Sequence, residues 1–242
     1  MRRALIKSMD RETYGNVLLK GTYIPGGPML PPSLDYAFDE LDKMNPDKYD
    51  VEAAKKLLAD AGWKDTDGDG FVDKDGKNLE LNFTFYSGRA ELPLFAEAVQ
   101  SDAKKVGIKV NLKNVDYNII FDIGKKGEYD LLISNILTEQ AGDPEFFMNV
   151  YFRTNKDGNT PENASGYSNP EYDALSEKLS GEFDPAKRRD IIIQMEKIMM
   201  NDAGTVVLGY PKTNLVSSKN IANANIYPCD YYWVTKDITP AK

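Results

Sequence analysis

The residue pattern predicts an α/β lobe, a parallel β-sheet with helices packed against it. Three observations carry this reading. Leu79 to Tyr86 and Ile108 to Val115 alternate apolar and polar residues with the period of a strand. Between them, Leu94, Phe95, Ala98, Val99, Ala103 and Val106 recur at helical spacing within Leu92 to Val106. A short helix, Tyr117 to Lys125, then separates the second strand from a strongly apolar one, Tyr129 to Ile136. Strands divided by helices of this length form parallel βαβ units with right-handed crossovers.

The remaining elements follow in chain order. An opening helix runs from Met1 to Gly21 with Leu5, Met9, Val17 and Leu18 on its buried side. Tyr23 to Pro32 (YIPGGPMLPP) is too rich in proline and glycine for a helix or a central strand and reads as an ordered surface loop. Asp50 caps a helix that starts at Val51, buries Ala53, Ala54, Leu57 and Leu58, and stops at Gly62. Proline at the first helical position opens two later helices, after Asn169 and after Asp184. The second carries the apolar stripe Ile191, Ile192, Met195, Ile198 and Met199, and Val206 to Tyr210 returns as a strand. From Thr213 onward the chain is aromatic and turn-rich, with Tyr227-Pro228, Tyr231, Tyr232 and Trp233 and no helical period.

Composition narrows the chemistry. The 242 residues suffice for one large domain or two small ones. With 41% hydrophobic and 28% charged residues the chain is of ordinary globular type. No apolar run approaches the length of a membrane span, and the first residues lack the apolar core of a secretory signal. A net charge of −8, spread along the chain, argues against nucleic acid as a partner or reflects the source proteome. The single cysteine, Cys229, rules out a disulfide within the chain. Histidine is absent, which removes Ser-His-Asp and Cys-His nucleophile systems and imidazole-bound zinc from these residues.

Two constellations remain. Asp65, Asp67 and Asp69 alternate before Gly70, and Asp73 follows at the ninth position, a spacing that can wrap calcium. Gly76 occupies the twelfth position, where an EF-hand needs glutamate, so a polar β-hairpin with Asp-Gly turns is the competing reading. The second is the segment after the strand Tyr129 to Ile136. Open α/β sheets bind ligands at the carboxyl ends of their strands, and Asn135, Thr138, Glu139, Gln140 and Asp143 supply hydrogen-bonding groups and carboxylates there. Scattered acidic residues leave a carboxylate enzyme such as a glycosidase as a rival, although no pair is singled out by spacing. A calcium-stabilised interaction module is another.

Four segments in order resemble the family 5 extracellular solute-binding proteins, the peptide- and nickel-binding components of ABC importers. They are Arg3-Ala4-Leu5 with Met9-Asp10-Arg11, Ala53 to Trp63 (AAKKLLADAGW), Asp143-Pro144 with Phe147, and Gly166 to Asp173 (GYSNPEYD). The resemblance implies a type II periplasmic-binding-protein-like lobe, with residues 1–212 as the second lobe and 213–242 returning across the hinge toward a first lobe absent from this fragment. It also implies capture of an oligopeptide or a nickel chelate and delivery to an ABC permease, with no reaction. The setting would be extracytoplasmic, in the periplasm or on the cell surface as a lipoprotein whose signal lies upstream. In dipeptide-binding relatives an aspartate before Gly-Asp-Pro holds the peptide amino terminus. Gln140 stands at that place here, beside Glu139, and Leu137 replaces the preceding tryptophan. The ending, Asn225-Ile226-Tyr227-Pro228 with Thr239-Pro240, looks more like the nickel-binding branch.

Overall fold

The computed structural model describes residues 1–139, 142–156, 163–226 and 234–241. The chain opens with α1 (Arg2–Ser8) and a single turn, α2 (Arg11–Thr13), that widens into a π-turn over Tyr14–Leu18. Strand β1 (Tyr23–Pro25) and helices α3 (Phe38–Met44) and α4 (Val51–Asp60) follow. The hairpin β2 (Asp73–Lys74) and β3 (Lys77–Asn78) leads into β4 (Glu80–Tyr86), α5 (Glu91–Lys105), β5 (Lys109–Val115), α6 (Tyr117–Lys126) and β6 (Leu131–Leu132). Then come α7 (Glu145–Phe152), α8 (Pro170–Ser180) and α9 (Pro185–Asp202). The short strands β7 (Gly209–Pro211), β8 (Ile221–Ala222) and β9 (Thr239–Pro240) come last.

The predicted parallel sheet is present, in the order β5-β4-β6. Its central strand β4 is buried on both faces from Phe83 to Tyr86. Phe83 and Phe85 join Phe95, Val99 and Ala103 of α5 and Ala4, Leu5, Ala54 and Leu58 of α1 and α4 in one apolar core. Tyr86 groups instead with Ile120 of α6 and Leu92. A second core is helical and packs α7, α8 and α9 around Tyr172, Ile192, Met195 and Met199. Side-chain caps start the helices where the sequence places them: Asp50 accepts from Ala53, Asn169 from Glu171 and Tyr172, and Asp184 from Ala186 and Lys187. None of the helices among the described residues is long and apolar enough to cross a membrane.

Five expectations are corrected. The opening helix is not continuous to Gly21: Met9 is extended, and Asp10 starts a new turn by accepting the N–H of Thr13. The π-turn then rotates the register, so Tyr14 and Leu19 point inward while Val17 is 69% exposed. Gly15 explains the close packing there, because a Cβ on it would stand 3.0 Å from both the nitrogen of Pro25 and the carbonyl oxygen of Tyr23. Within α5, Leu92 and Ala96 take the inward positions and Leu94 faces solvent.

The segment Tyr23 to Pro32 is more than a surface loop. Its first three residues pair antiparallel with β7, an edge pairing that tolerates proline. Met29 and Leu30 enter the helical core. The expected strand Val206 to Tyr210 is correspondingly reduced to this short pairing, outside the parallel sheet. The apolar run Tyr129 to Ile136 pairs as a strand only at Leu131 and Leu132, because it lies at the sheet edge and turns away into the following loop.

Candidate ligand-binding site

Because β4, β5 and β6 run parallel, with Tyr86 opposite Val115 and Thr84 opposite Leu132, their carboxyl ends open on one edge. Three segments leave that edge: Ser87 to Glu91, Asp116 to Asn118, and the polar loop beginning at Ile133. The first and third are joined directly, since Asn135 Nδ2 donates to Glu91 Oε1 at 3.1 Å. The carboxylate of Glu91 also lies near the hydroxyl of Tyr23, whose ionisation is pushed up by burial first and by the Glu91 carboxylate second. Tyr23 stands opposite Pro211 in the β1–β7 pair, and the N–H of Lys212 donates to Thr22 O at 2.8 Å. Pro211, Tyr23, Glu91 and Asn135 thus form a run of neighbours that leads from β7 to the start of the polar loop.

Further along the loop, Thr138 Oγ1 lies 3.3 Å from Glu139 Oε2, and the Glu139 side chain is buried. Gln140 lies outside the described residues. Asp143 is held from outside the loop. Its two oxygens accept from Arg188 Nη2 at 2.9 Å and Nε at 3.2 Å, and Oδ1 also accepts the N–H of Glu145 at 2.8 Å, which starts α7. Of the five predicted contact residues, Asn135, Thr138 and Glu139 thus lie on the segment that leaves the carboxyl edge, while Asp143 sits against Arg188 at the start of α7. Sequence reasoning missed Glu91, Tyr23 and Arg188. Their roles arise from contacts across tens of residues, which carry no signature in local spacing.

At the other candidate, Asp65, Asp67 and Asp73 each bring one carboxylate oxygen within 4.8 Å of the others. Asp69 is turned elsewhere, accepting from Phe71 N and Asn78 Nδ2, both at 2.8 Å. The three grouped carboxylates also accept the loop's own N–H groups: Asp65 from Gly68 and Gly70, Asp67 from Asp69, and Asp73 from Thr66. The hairpin turn falls on Asp75 and Gly76, both at positive φ, as a two-residue Asp-Gly turn requires. What carboxylates in this arrangement can do chemically is hold a hard cation or order the turns, and the second is realised by hydrogen bonds already in place.

A helix-covered parallel sheet with a polar loop on its carboxyl edge defines a lobe of the periplasmic-binding-protein type. The chain belongs to the bacterial extracellular solute-binding proteins of family 5, whose middle segment matches residues 1–159. It is 26% identical over 247 residues to the oligopeptide-binding protein AppA of Bacillus subtilis, covering 98% of this chain and 44% of that one. It is also 26% identical over 235 residues to the nickel-binding protein NikA of Staphylococcus aureus, covering 97% and 44%. Among solved structures, AppA of B. subtilis in complex with a nonapeptide superposes with a TM-score of 0.71 at 25% identity, over 94% of this chain and 44% of that one. NikA of Brucella suis with Fe(III)-EDTA gives a TM-score of 0.79 at 21% identity, over 99% and 47%, a likeness that shows the fold. The chain spans about 44% of the length of these two curated relatives.

Proposed function

We propose that this chain is the second lobe of the substrate-binding component of an ABC importer and captures an oligopeptide or a nickel chelate against a first lobe. The observation that carries the reading is the run of neighbours Pro211, Tyr23, Glu91 and Asn135, because it leads from β7, just before Thr213, to the start of the polar loop. Asn135, Thr138, Glu139 and Gln140 form this lobe's share of the contacts, and Asp143 ends that segment where it meets α7. Ligand capture between lobes needs closure, not chemistry, so the chain works as a binding protein and not as an enzyme.

The described residues beyond Thr213 support a second partner surface. None of them is buried, and Val216 and Val234 are 90% and 92% exposed. Residues 213–242 are therefore assigned to the return across the hinge, where the first lobe of the same polypeptide covers them. The whole receptor acts outside the cytoplasm, in the periplasm or as a surface lipoprotein, and hands its ligand to a membrane permease. Two relatives, one binding oligopeptides and one nickel, stand at equal identity, so both ligand classes are kept.

Native mass spectrometry of the intact receptor, followed by calorimetry with the ligand so identified, tests this. The expected result is a co-purified peptide or metal chelate whose binding weakens by about 1–3 kcal/mol in Glu139→Ala or Gln140→Ala, as loss of a buried hydrogen bond requires. A ligand of another class, or unchanged affinity in both variants, would overturn the assignment.

A further inference from the structure

Arg188 sits in the first turn of α9, where its backbone N–H donates to Asp184 O at 2.9 Å. A cation there opposes the helix dipole, so α9 itself gains nothing from it. Its side chain accounts for the placement. Nη1 donates to the carbonyls of Leu179 (2.8 Å) and Glu182 (2.7 Å) where α8 ends. Nη2 and Nε take both oxygens of Asp143, and Nη2 also reaches Glu145 Oε2 at 2.8 Å. One guanidinium thus joins the end of α8, the start of α7 and the last residues of the polar loop. Burial of most of the side chain, 18% exposed, strengthens these charge-assisted bonds relative to a surface pair.

Resting on the ligand-loop reading above, we propose that Arg188 is a positioning residue for that site: it fixes Asp143 and Glu145, where the polar segment meets α7, without touching ligand. Asp143 offers ligand little, since both its oxygens are engaged and Oδ1 also caps Glu145. The planar fork is what this geometry uses. A lysine at the same place retains the charge but cannot bridge two oxygens and two carbonyls at once.

The test uses the intact receptor, with trialanine and with nickel(II) plus L-histidine as probes, read by calorimetry, thermal melting and hydrogen exchange. Arg188→Met is expected to weaken the bound probe at least about tenfold and to raise amide exchange around 133–139 and 142–145. Asp143→Asn added to it should change affinity less than about twofold further, because both substitutions break one clamp. Arg188→Lys should restore melting but not affinity. Asp50→Ala, which removes only the α4 cap, serves as a control that lowers melting without loosening the loop. Additive losses, or affinity that tracks melting across all variants, would reduce Arg188 to an ordinary stabilising contact and overturn the proposal. Should the wild type bind neither probe, the proposed ligand classes fail by themselves. The exchange measurement then still decides, with unchanged loop exchange in Arg188→Met refuting the clamp and raised exchange confined to the loop upholding it.

Discussion

Glu196 Oε1 accepts the backbone N–H of Leu30 at 2.7 Å, joining the middle of α9 to the proline-rich segment after β1 across 166 residues. The carboxyl group is 3% exposed and forms no ion pair among the described residues. Burial pushes its pKa up to about 8, against the opposing pull of hydrogen bonds from Leu30 and Met29. Neighbouring Tyr210, from β7, secures the same segment by accepting the N–H of Gly27 at 3.1 Å and donating to Pro28 O.

A pH dependence follows. The folded protein binds more protons at Glu196 than the unfolded chain, whose pKa is near the ordinary 4.5. The stabilisation relative to the charged form is complete below pH 4.5 and is lost as pH rises through 8, by an amount on the order of 5 kcal/mol. Glu196→Gln, which retains an acceptor for Leu30, should therefore gain in melting temperature over wild type between pH 5 and pH 9. A difference independent of pH would show that Glu196 does not titrate in this range.

Gly26→Ala should disrupt the β1–β7 pairing. A Cβ at Gly26 would overlap the carbonyl group of Val207, which is backbone and cannot swing aside. A loss above about 3 kcal/mol is expected, at the upper end of overpacking costs. Urea unfolding measures it, and a loss under about 1 kcal/mol would mean that the two segments are less tightly apposed.

Tyr23→Phe and Asn135→Ala should each cost about 1 kcal/mol, the net worth of a hydrogen bond, because each removes one partner of Glu91. Their effects should couple by more than about 0.5 kcal/mol through the shared carboxylate. Strict additivity in a double-mutant cycle would separate the two bonds.

For the loop at Asp65, Asp67 and Asp73, melting curves in millimolar calcium and in chelator should coincide, since the carboxylates already accept the loop's own N–H groups. A rise with calcium would instead identify a binding site through linkage.

The legible part of the fold is the part written in local chemistry. Asp50, Asn169 and Asp184 announce their helices because a capping carboxylate or amide needs only the next three residues. The βαβ order is legible from the switch between periods at Tyr86, Val106 and Val115. The π-turn at Tyr14–Leu18 is not, because it packs Gly15 against the backbone of Tyr23 and Pro25, a contact that residue periodicity does not encode. The same holds at the site. A rule about strand ends proposes Asn135 to Asp143, whereas the contact to Asp143 comes from Arg188, 45 residues away, and nothing in DPAKRRD tells Arg188 from Arg189. Arg189 turns to Asp35 at the surface instead.

The most direct test of the central claim is a crystal structure of the intact receptor with its co-purified ligand. The contacts contributed by this lobe should fall on residues 133–143 and the adjoining 87–91, at the carboxyl edge of β4, with residues 213–241 packed on the other lobe. A ligand seated at the opposite edge, near Leu79 and Gly107, would contradict the assignment of this loop as the capturing surface.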